Sequence, residues 1–378
     1  MNLSRPLVIA RKELLQLRRD RLTMGMMMML PIVQLLLFGY AINNDVRHIP
    51  TIIYDQDRSA ASRDLALSMR ATGFYDLIGE ARSYDDVDRA LRGSIARVAL
   101  IVPADYERDL QRSRPTTVRL VLDGSDPQTV ASATNTAASV VAARSGQLMV
   151  QKLAKSGGAP FQPDEPIRLE PSTWYNPDLR TAVYIVPGLV GVILTMTMVM
   201  LTAMAIARER ERGTLEQLIV SPVRSVELMI GKIIPFIFIG YLQMTLIFLL
   251  GRFVFDVPIV GSLALLYLLA LVFIAANLAI GLFFSTLAKT QQQAMQMSFF
   301  FLLPNILLSG FMFPFEAMPE PAQWISTALP LTHFLRVVRG ITLRGAGFDD
   351  VAPELVQMSI ILGVLVLFAS LRFRKKLG

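Results

Sequence analysis

The chain has 378 residues, 53% of them hydrophobic, with a mean hydropathy of +0.47, and its apolar residues arrive in long unbroken blocks; this is the composition of a polytopic membrane protein and excludes an ordinary soluble enzyme. The net charge of +7 does not indicate nucleic acid, because the basic residues are divided among the flanks of separate apolar blocks and do not form one surface. Cysteine is absent and the two histidines, His48 and His333, stand far apart, which excludes disulfides and thiolate sites and leaves no metal centre to propose.

In chain order, residues 1–21 set Leu7, Ala10, Leu14 and Leu17 at helical spacing beside Arg11, Lys12, Arg18 and Arg19, which predicts an amphipathic helix in the cytoplasmic interface. The apolar block 22–42 follows six basic residues and lacks a small-residue cleavage site, so it reads as a retained first span and not as a removable signal peptide. Residues 43–181 have the composition of a globular module. Thr51 to Tyr54, 97–102 and 118–122 read as strands, and 59–71, 84–96 and 127–155 as helices, the first opened by Ser59 or Asp57 and the second by Ser83 or Asp85. The alternation predicts an α/β or α+β extracytoplasmic (periplasmic) domain inserted between spans one and two. Asp123-Gly124-Ser125-Asp126 resembles a ligand loop, but Asp and Gly ahead of Pro127 are what any strand-to-helix turn needs, and the turn is the preferred reading. Trp174, Tyr175 and Tyr184 are expected in an interfacial aromatic belt.

The apolar blocks at 182–207, 233–250, 259–284, 294–313 and 355–371 predict spans two to six of a bundle over 182–378. Between the last two, residues 314–345 are too rich in proline and polar side chains to remain in hydrocarbon and read as a re-entrant or interfacial segment. There His333, Arg336 and Arg339 are expected to pair with Glu316, Glu320 or Asp349, to face an aqueous vestibule, or to anchor the interface. With the amino terminus inside, the cytoplasmic segments hold 16 of the 37 Lys and Arg residues and the short outer loops 4; the other 17 share the long second segment with 18 acidic residues. This is the positive-inside pattern, and it puts both termini in the cytoplasm.

The densest charge cluster in the apolar half is 208–222, RERERGTLEQLIVSP. Gly213 is a poor helix residue, Thr214 can cap a new turn with Gln217 three residues later, and Ser221-Pro222 ends it, so a short cytoplasmic helix is predicted between spans two and three. The sequence has no phosphate loop, no dinucleotide-type glycine pattern and no His-Glu-x-x-His, and the span interiors carry no Asp, Glu, Lys or Arg away from their ends. A transport bundle without an energy source of its own must borrow one, and a charged helix on the inner face is suited to receive force.

The run 208–218 followed by Ser221-Pro222 closely resembles the coupling-helix motif of type-2 ABC transporter permeases. The resemblance extends to the basic first helix, to YDQDRS, RVALIVPADYERDL and LVLDGSDP in the outer segment, to WYNPDLR before span two and to the six-span layout; it is strongest to the drug-exporter-like branch with a large outer domain. It implies a transport subunit that is not itself an enzyme, sits in the bacterial inner membrane and exports hydrophobic or amphipathic compounds. Glu209, Arg210, Glu211, Gly213, Thr214, Glu216, Leu218 and Pro222 would form the ATPase-coupling interface, flanked by Lys12, Glu13 and Arg18. No cofactor is expected in this chain, ATP and Mg being bound by a separate ABC ATPase. A second permease copy, identical or not, and a periplasmic adaptor protein are the further partners implied. A lipid or polysaccharide exporter of the same class is the close competitor; a membrane-tethered receptor would need a cytoplasmic output domain, and no inner segment is long enough.

Overall fold

The computed structural model describes residues 46–156, 165–211, 213 and 225–372. The helix expected at 1–21, the span at 22–42 and the short helix at 214–222 lie outside them.

Residues 46–174 form a five-stranded mixed sheet of order β2-β1-β3-β4-β5, built from β1 (Ile49–Asp55), β2 (Tyr75–Glu80), β3 (Val98–Val102), β4 (Thr116–Asp123) and β5 (Ile167–Trp174). β1 runs parallel to both β2 and β3, β4 is antiparallel to β3, and β5 is parallel to β4. The helices are α1 (Ala60–Ala71), α2 (Tyr84–Arg92), α3 (Tyr106–Gln111) and α4 (Pro127–Ser156). Period-two alternation divides the strands between two cores. Val98, Leu100 and Val102 face α1 and α4 through Leu65, Met69, Ala133 and Ala137, while Ala99 and Ile101 face α2 through Val87 and Leu91. Ser59 and Ser83 cap α1 and α2 as the sequence suggests, Ser83 in a full capping box with Asp86. Helix α2 stops at Arg92, short of residue 96, because Gly93 and Ser94 lead the chain back into β3. β2, α3 and β5 had no counterpart in the sequence reading. β2 buries only Tyr75 fully and α3 spans six residues, so neither shows a clear period.

The second half is helical: α5 (Thr181–Glu211), α6 (Ser225–Phe253), α7 (Leu263–Leu287), α8 (Gln291–Leu308), α9 (Glu320–Thr327), α10 (Pro330–Arg344) and α11 (Phe348–Arg372). Four described stretches are long and apolar enough to cross a membrane: Thr181–Glu211, Pro235–Phe253, Leu263–Leu287 and Phe348–Ala369. The expected fifth span at 294–313 is a helix of 18 residues whose glutamines, Pro304 and Asn305 lower its apolarity, and it ends where Gly310 takes φ +83. At the centre of the bundle lies α10. All of its residues except Arg336 and Arg339 are buried, and Phe334 stacks on Phe273 of α7 with ring centroids 4.0 Å apart. The part of 314–345 that α10 forms is thus packed inside protein, as a re-entrant element requires. Gly281 lets α7 approach α5 closely, since a Cβ there would meet the Val199 carbonyl oxygen at 2.6 Å.

Three aromatics expected in a belt have partners within the protein. Tyr184 is buried and donates its hydroxyl to the Phe311 carbonyl at 2.9 Å, and Trp174 and Tyr175 pack on the α2 face of the sheet.

Candidate functional site

Glu209, Arg210 and Glu211 occupy the last turn of α5, and Gly213 follows with φ +69, a left-handed conformation that glycine adopts without strain. The other sequence-predicted coupling residues, Lys12, Glu13, Arg18, Thr214, Glu216, Leu218 and Pro222, are outside the described residues. What the structure adds is the surface on which the first part of the motif rests. Arg210 Nη1 donates to the Ala288 carbonyl at 2.6 Å and Arg208 Nε to Gln291 Oε1 at 3.0 Å. Glu211 accepts from the Gln291 backbone N–H at 2.9 Å and from Gln291 Nε2 at 2.6 Å.

This geometry follows from helix ends. The first backbone N–H groups of α8 have no partner within the helix; Thr290 caps one of them, that of Gln293, and the Glu211 carboxylate takes another, at the positive end of the helix dipole. Arg208 and Arg210 stand in the last turn of α5, where cations suit its negative end. Beneath the polar contacts Ala203, Ala207, Ala288 and Ala294 pack as a cluster of small residues that allows the helices to come close. The last turn of α5 is thus tied to the start of α8. Sequence reasoning missed Ala288 and Gln291; the polar run Lys289 to Gln293 was the available signal, but nothing in it revealed its partner.

A second constellation lies at the other end of α5, about 45 Å away for 31 helical residues. It joins the sheet domain to the bundle. The turn after β4 puts Asp123 on Arg97 (2.8 Å) and on Arg344, at the end of α10 (3.0 Å), with the carboxylate wholly buried. Ser125 donates both its backbone N–H, at 3.0 Å, and its hydroxyl, at 2.6 Å, to the other carboxylate oxygen. Burial pushes the Asp123 carboxyl up, but Arg344 and Arg97 outweigh it and hold the group at about 2. Asp126 accepts from the Thr129 hydroxyl at 2.9 Å at the start of α4; burial and the nearby Glu316 push its pKa above the usual carboxylate range. The 123–126 stretch is a turn, as expected, and it is also a buried ionic joint, which the turn reading did not include.

Of the alternatives for His333, Arg336 and Arg339, pairing with Glu316, Glu320 or Asp349 does not occur. Glu354 of α11 accepts from Arg336 at 3.1 Å and meets His333 Nδ1 at 2.5 Å, while His333 Nε2 faces the Thr327 carbonyl at 2.9 Å. Arg339 donates to the Gly310 carbonyl at 3.0 Å and lies over the Tyr184 ring, 4.1 Å from its centroid. Glu316 pairs instead with Arg97 of the sheet domain at 3.4 Å. Glu354 escaped notice because it lies just ahead of the apolar block 355–371. Between domain and bundle lies a cavity of about 440 Å³, lined by Arg92, Arg97, Arg336, Arg344, Glu316 and Glu354 among others.

A family model described as ABC-2 family transporter protein matches residues 21–371. The chain belongs to the ABC-2 family. It is similar to the probable multidrug ABC transporter permease YbhR of Escherichia coli K12, with 30% identity over 368 residues, 97% of this chain and 98% of that one. It is equally similar, at 30% identity, to the probable multidrug ABC transporter permease YbhS of the same organism, over 95% of this chain and 91% of that one. ABC transporter G family member 20 of Dictyostelium discoideum is 21% identical over 90% of this chain, which corresponds to 46% of that protein. As an ABC-2 family member the chain is a membrane-embedded transporter permease, and membership implies an ABC ATPase as its partner.

Proposed function

We propose that this ABC-2 permease is the transmembrane subunit of an ATP-driven exporter of hydrophobic or amphipathic, drug-like compounds, with a second permease copy completing the translocation path. In this reading the chain crosses the bacterial inner membrane six times, with 22–42 and α8 supplying the first and fifth spans. Both termini are cytoplasmic and the sheet domain is extracytoplasmic, open to a periplasmic adaptor. ATP and Mg bind the ATPase, and the chain holds no cofactor. The names of the two Escherichia coli relatives support the substrate class.

The observation that carries the mechanism is the clamp of Arg208, Arg210 and Glu211 on the loop 288–291. Closure of the paired ATPases pushes on the 214–222 helix; Gly213 is the flexible joint and the clamp passes the displacement to α5 and α8 together. Glu209, Arg210, Glu211, Gly213, Thr214, Glu216, Leu218 and Pro222, with Lys12, Glu13 and Arg18 beside them, form the docking surface. Glu216→Arg tests this: the variant should fold with an unchanged melting curve yet lose co-purification of the ATPase. Retention of both the ATPase and wild-type substrate-stimulated hydrolysis would place the interface elsewhere.

A further inference from the structure

His333, near the start of α10, is wholly buried, and each of its ring nitrogens faces an oxygen. Nδ1 lies 2.5 Å from Oε2 of Glu354 on α11, and Nε2 lies 2.9 Å from the carbonyl oxygen of Thr327, the last residue of α9. A neutral imidazole carries one N–H, and its other nitrogen is an acceptor. A backbone carbonyl only accepts, so Nε2 is the donor to Thr327. The other contact then needs a second proton, between Nδ1 and Glu354. Without it a ring lone pair faces a carboxylate oxygen at hydrogen-bonding distance.

Arg336 decides which atom holds that proton. Its Nη1 donates to Oε1 of the same carboxylate at 3.1 Å, a charge-assisted pair only while Glu354 is ionised. The proton therefore belongs on the ring. The start of α10 opposes a cation there with only about half a charge, against a full carboxylate in contact. No other charged group on the elements around α10 is in contact with the ring among the described residues. Glu316 and Asp123 are paired with Arg97, and Asp123 also with Arg344. Arg339 lies on the Gly310 carbonyl and on the Tyr184 ring of α5. Asp350 accepts from the Gly347 backbone N–H, and Glu320 and Asp349 are exposed. α7 has no acidic or basic residue, and its Tyr267 hydroxyl is bonded to Thr245.

We propose that His333 is a doubly protonated clasp, an imidazolium that ties α9, α10 and α11 together and lets go of one neighbour when the ring loses a proton. Glu354 and Gln323 of α9 both line the cavity of about 440 Å³, so the clasp fixes two of its walls. The Glu354 side chain is 19% exposed, which gives solvent a way to the proton. Once water has taken it, the N–H that remains can serve only one side. Kept on Nε2, it leaves Nδ1 and Glu354 in repulsion; kept on Nδ1, it leaves a lone pair facing the Thr327 carbonyl. Either outcome releases one wall. The device is separate from the coupling motif and does not depend on the transported compound.

The test is nitrogen NMR of the full-length chain in nanodiscs with isotopically labelled histidine rings. Only two histidines contribute, and His48→Gln identifies the signals of His333. At about pH 7.5, roughly one unit above the ordinary histidine value, both nitrogens of His333 should carry protons. A ring with one bare nitrogen at that pH overturns the proposal. Glu354→Gln should convert His333 to a neutral ring protonated at Nε2; a ring that stays doubly protonated in this variant also overturns it. The stabilisation needs the added proton, so it is present on the acidic side and lost as pH rises. Loss of the ring signal of the second N–H should coincide with a fall in melting temperature on the order of 5 °C. His333→Gln should lack that step, and a step of the same size in this variant refutes the clasp. Should either substitution at the clasp prevent folding, the wild-type spectrum decides.

Discussion

Asp123→Asn isolates the joint between the sheet domain and the bundle. The substitution keeps the shape of the side chain and removes a charge that two guanidinium groups contact through one oxygen, at 2.8 and 3.0 Å. At an effective dielectric constant of about 20, each contact is worth roughly 4 kcal/mol before desolvation is counted. The carboxyl is held at about 2 even though it is fully buried, so the two attractions exceed the burial penalty. Asn leaves Arg344, which is itself almost fully buried, facing a neutral amide, and stranding a buried cation costs about 3–5 kcal/mol. The apparent melting temperature of the detergent-purified chain should fall by on the order of 10 °C. Adding Arg344→Met removes the stranded cation and should restore about half of the loss, a coupling that a double-mutant cycle measures directly. A single variant that melts within about 1 °C of the wild type, or effects that simply add in the double variant, would refute the idea that this ion pair holds the two parts together.

Acidification offers an independent reading of the same group. Because its pKa is lower in the folded state than the ordinary 3.8, Asp123 contributes stability that is complete above about pH 4 and is lost as pH falls towards about 2; the wild type should therefore lose more melting temperature over that interval than Asp123→Asn does. At the junction of α5 and α8, a cycle of Glu211→Ala and Gln291→Ala should show a coupling of about 0.5–1 kcal/mol in stability, and each single variant should reduce substrate-stimulated ATP hydrolysis in the reconstituted complex. Gly124→Ala places a Cβ 2.6 Å from both Thr173 Cγ2 and the Trp174 carbonyl oxygen and should cost about 1–3 kcal/mol, read as a lower melting temperature. Phe273→Ala removes a buried ring stacked on Phe334 and should cost about 3–5 kcal/mol, visible as lost yield or lowered melting.

The class of molecule, the long apolar helices, the change to a globular composition at residue 43 and the starts of α1 and α2 could be read along the chain, although the caps stayed open between Ser59 and Asp57 and between Ser83 and Asp85 until the helices were seen. These are one-dimensional properties: an apolar run must find an apolar environment, and a serine beside free N–H groups caps them wherever the helix lies. The charged run at 208–211 was legible as the end of α5, because charge concentrated after an apolar block must leave the hydrocarbon. Pairing at long range came from the three-dimensional structure alone. Glu211 meets Gln291, Asp123 meets Arg344 and Arg97 meets Glu316 across separations of 80 to 221 residues, and a carboxylate carries no local mark of the cation it will meet. The same holds for α10. Its proline, His333 and three arginines mark it as too polar for plain hydrocarbon, but not which groups it meets: Glu354, Asp123 and the Gly310 carbonyl answer its polar groups while its apolar side chains pack against α5, α7 and α11.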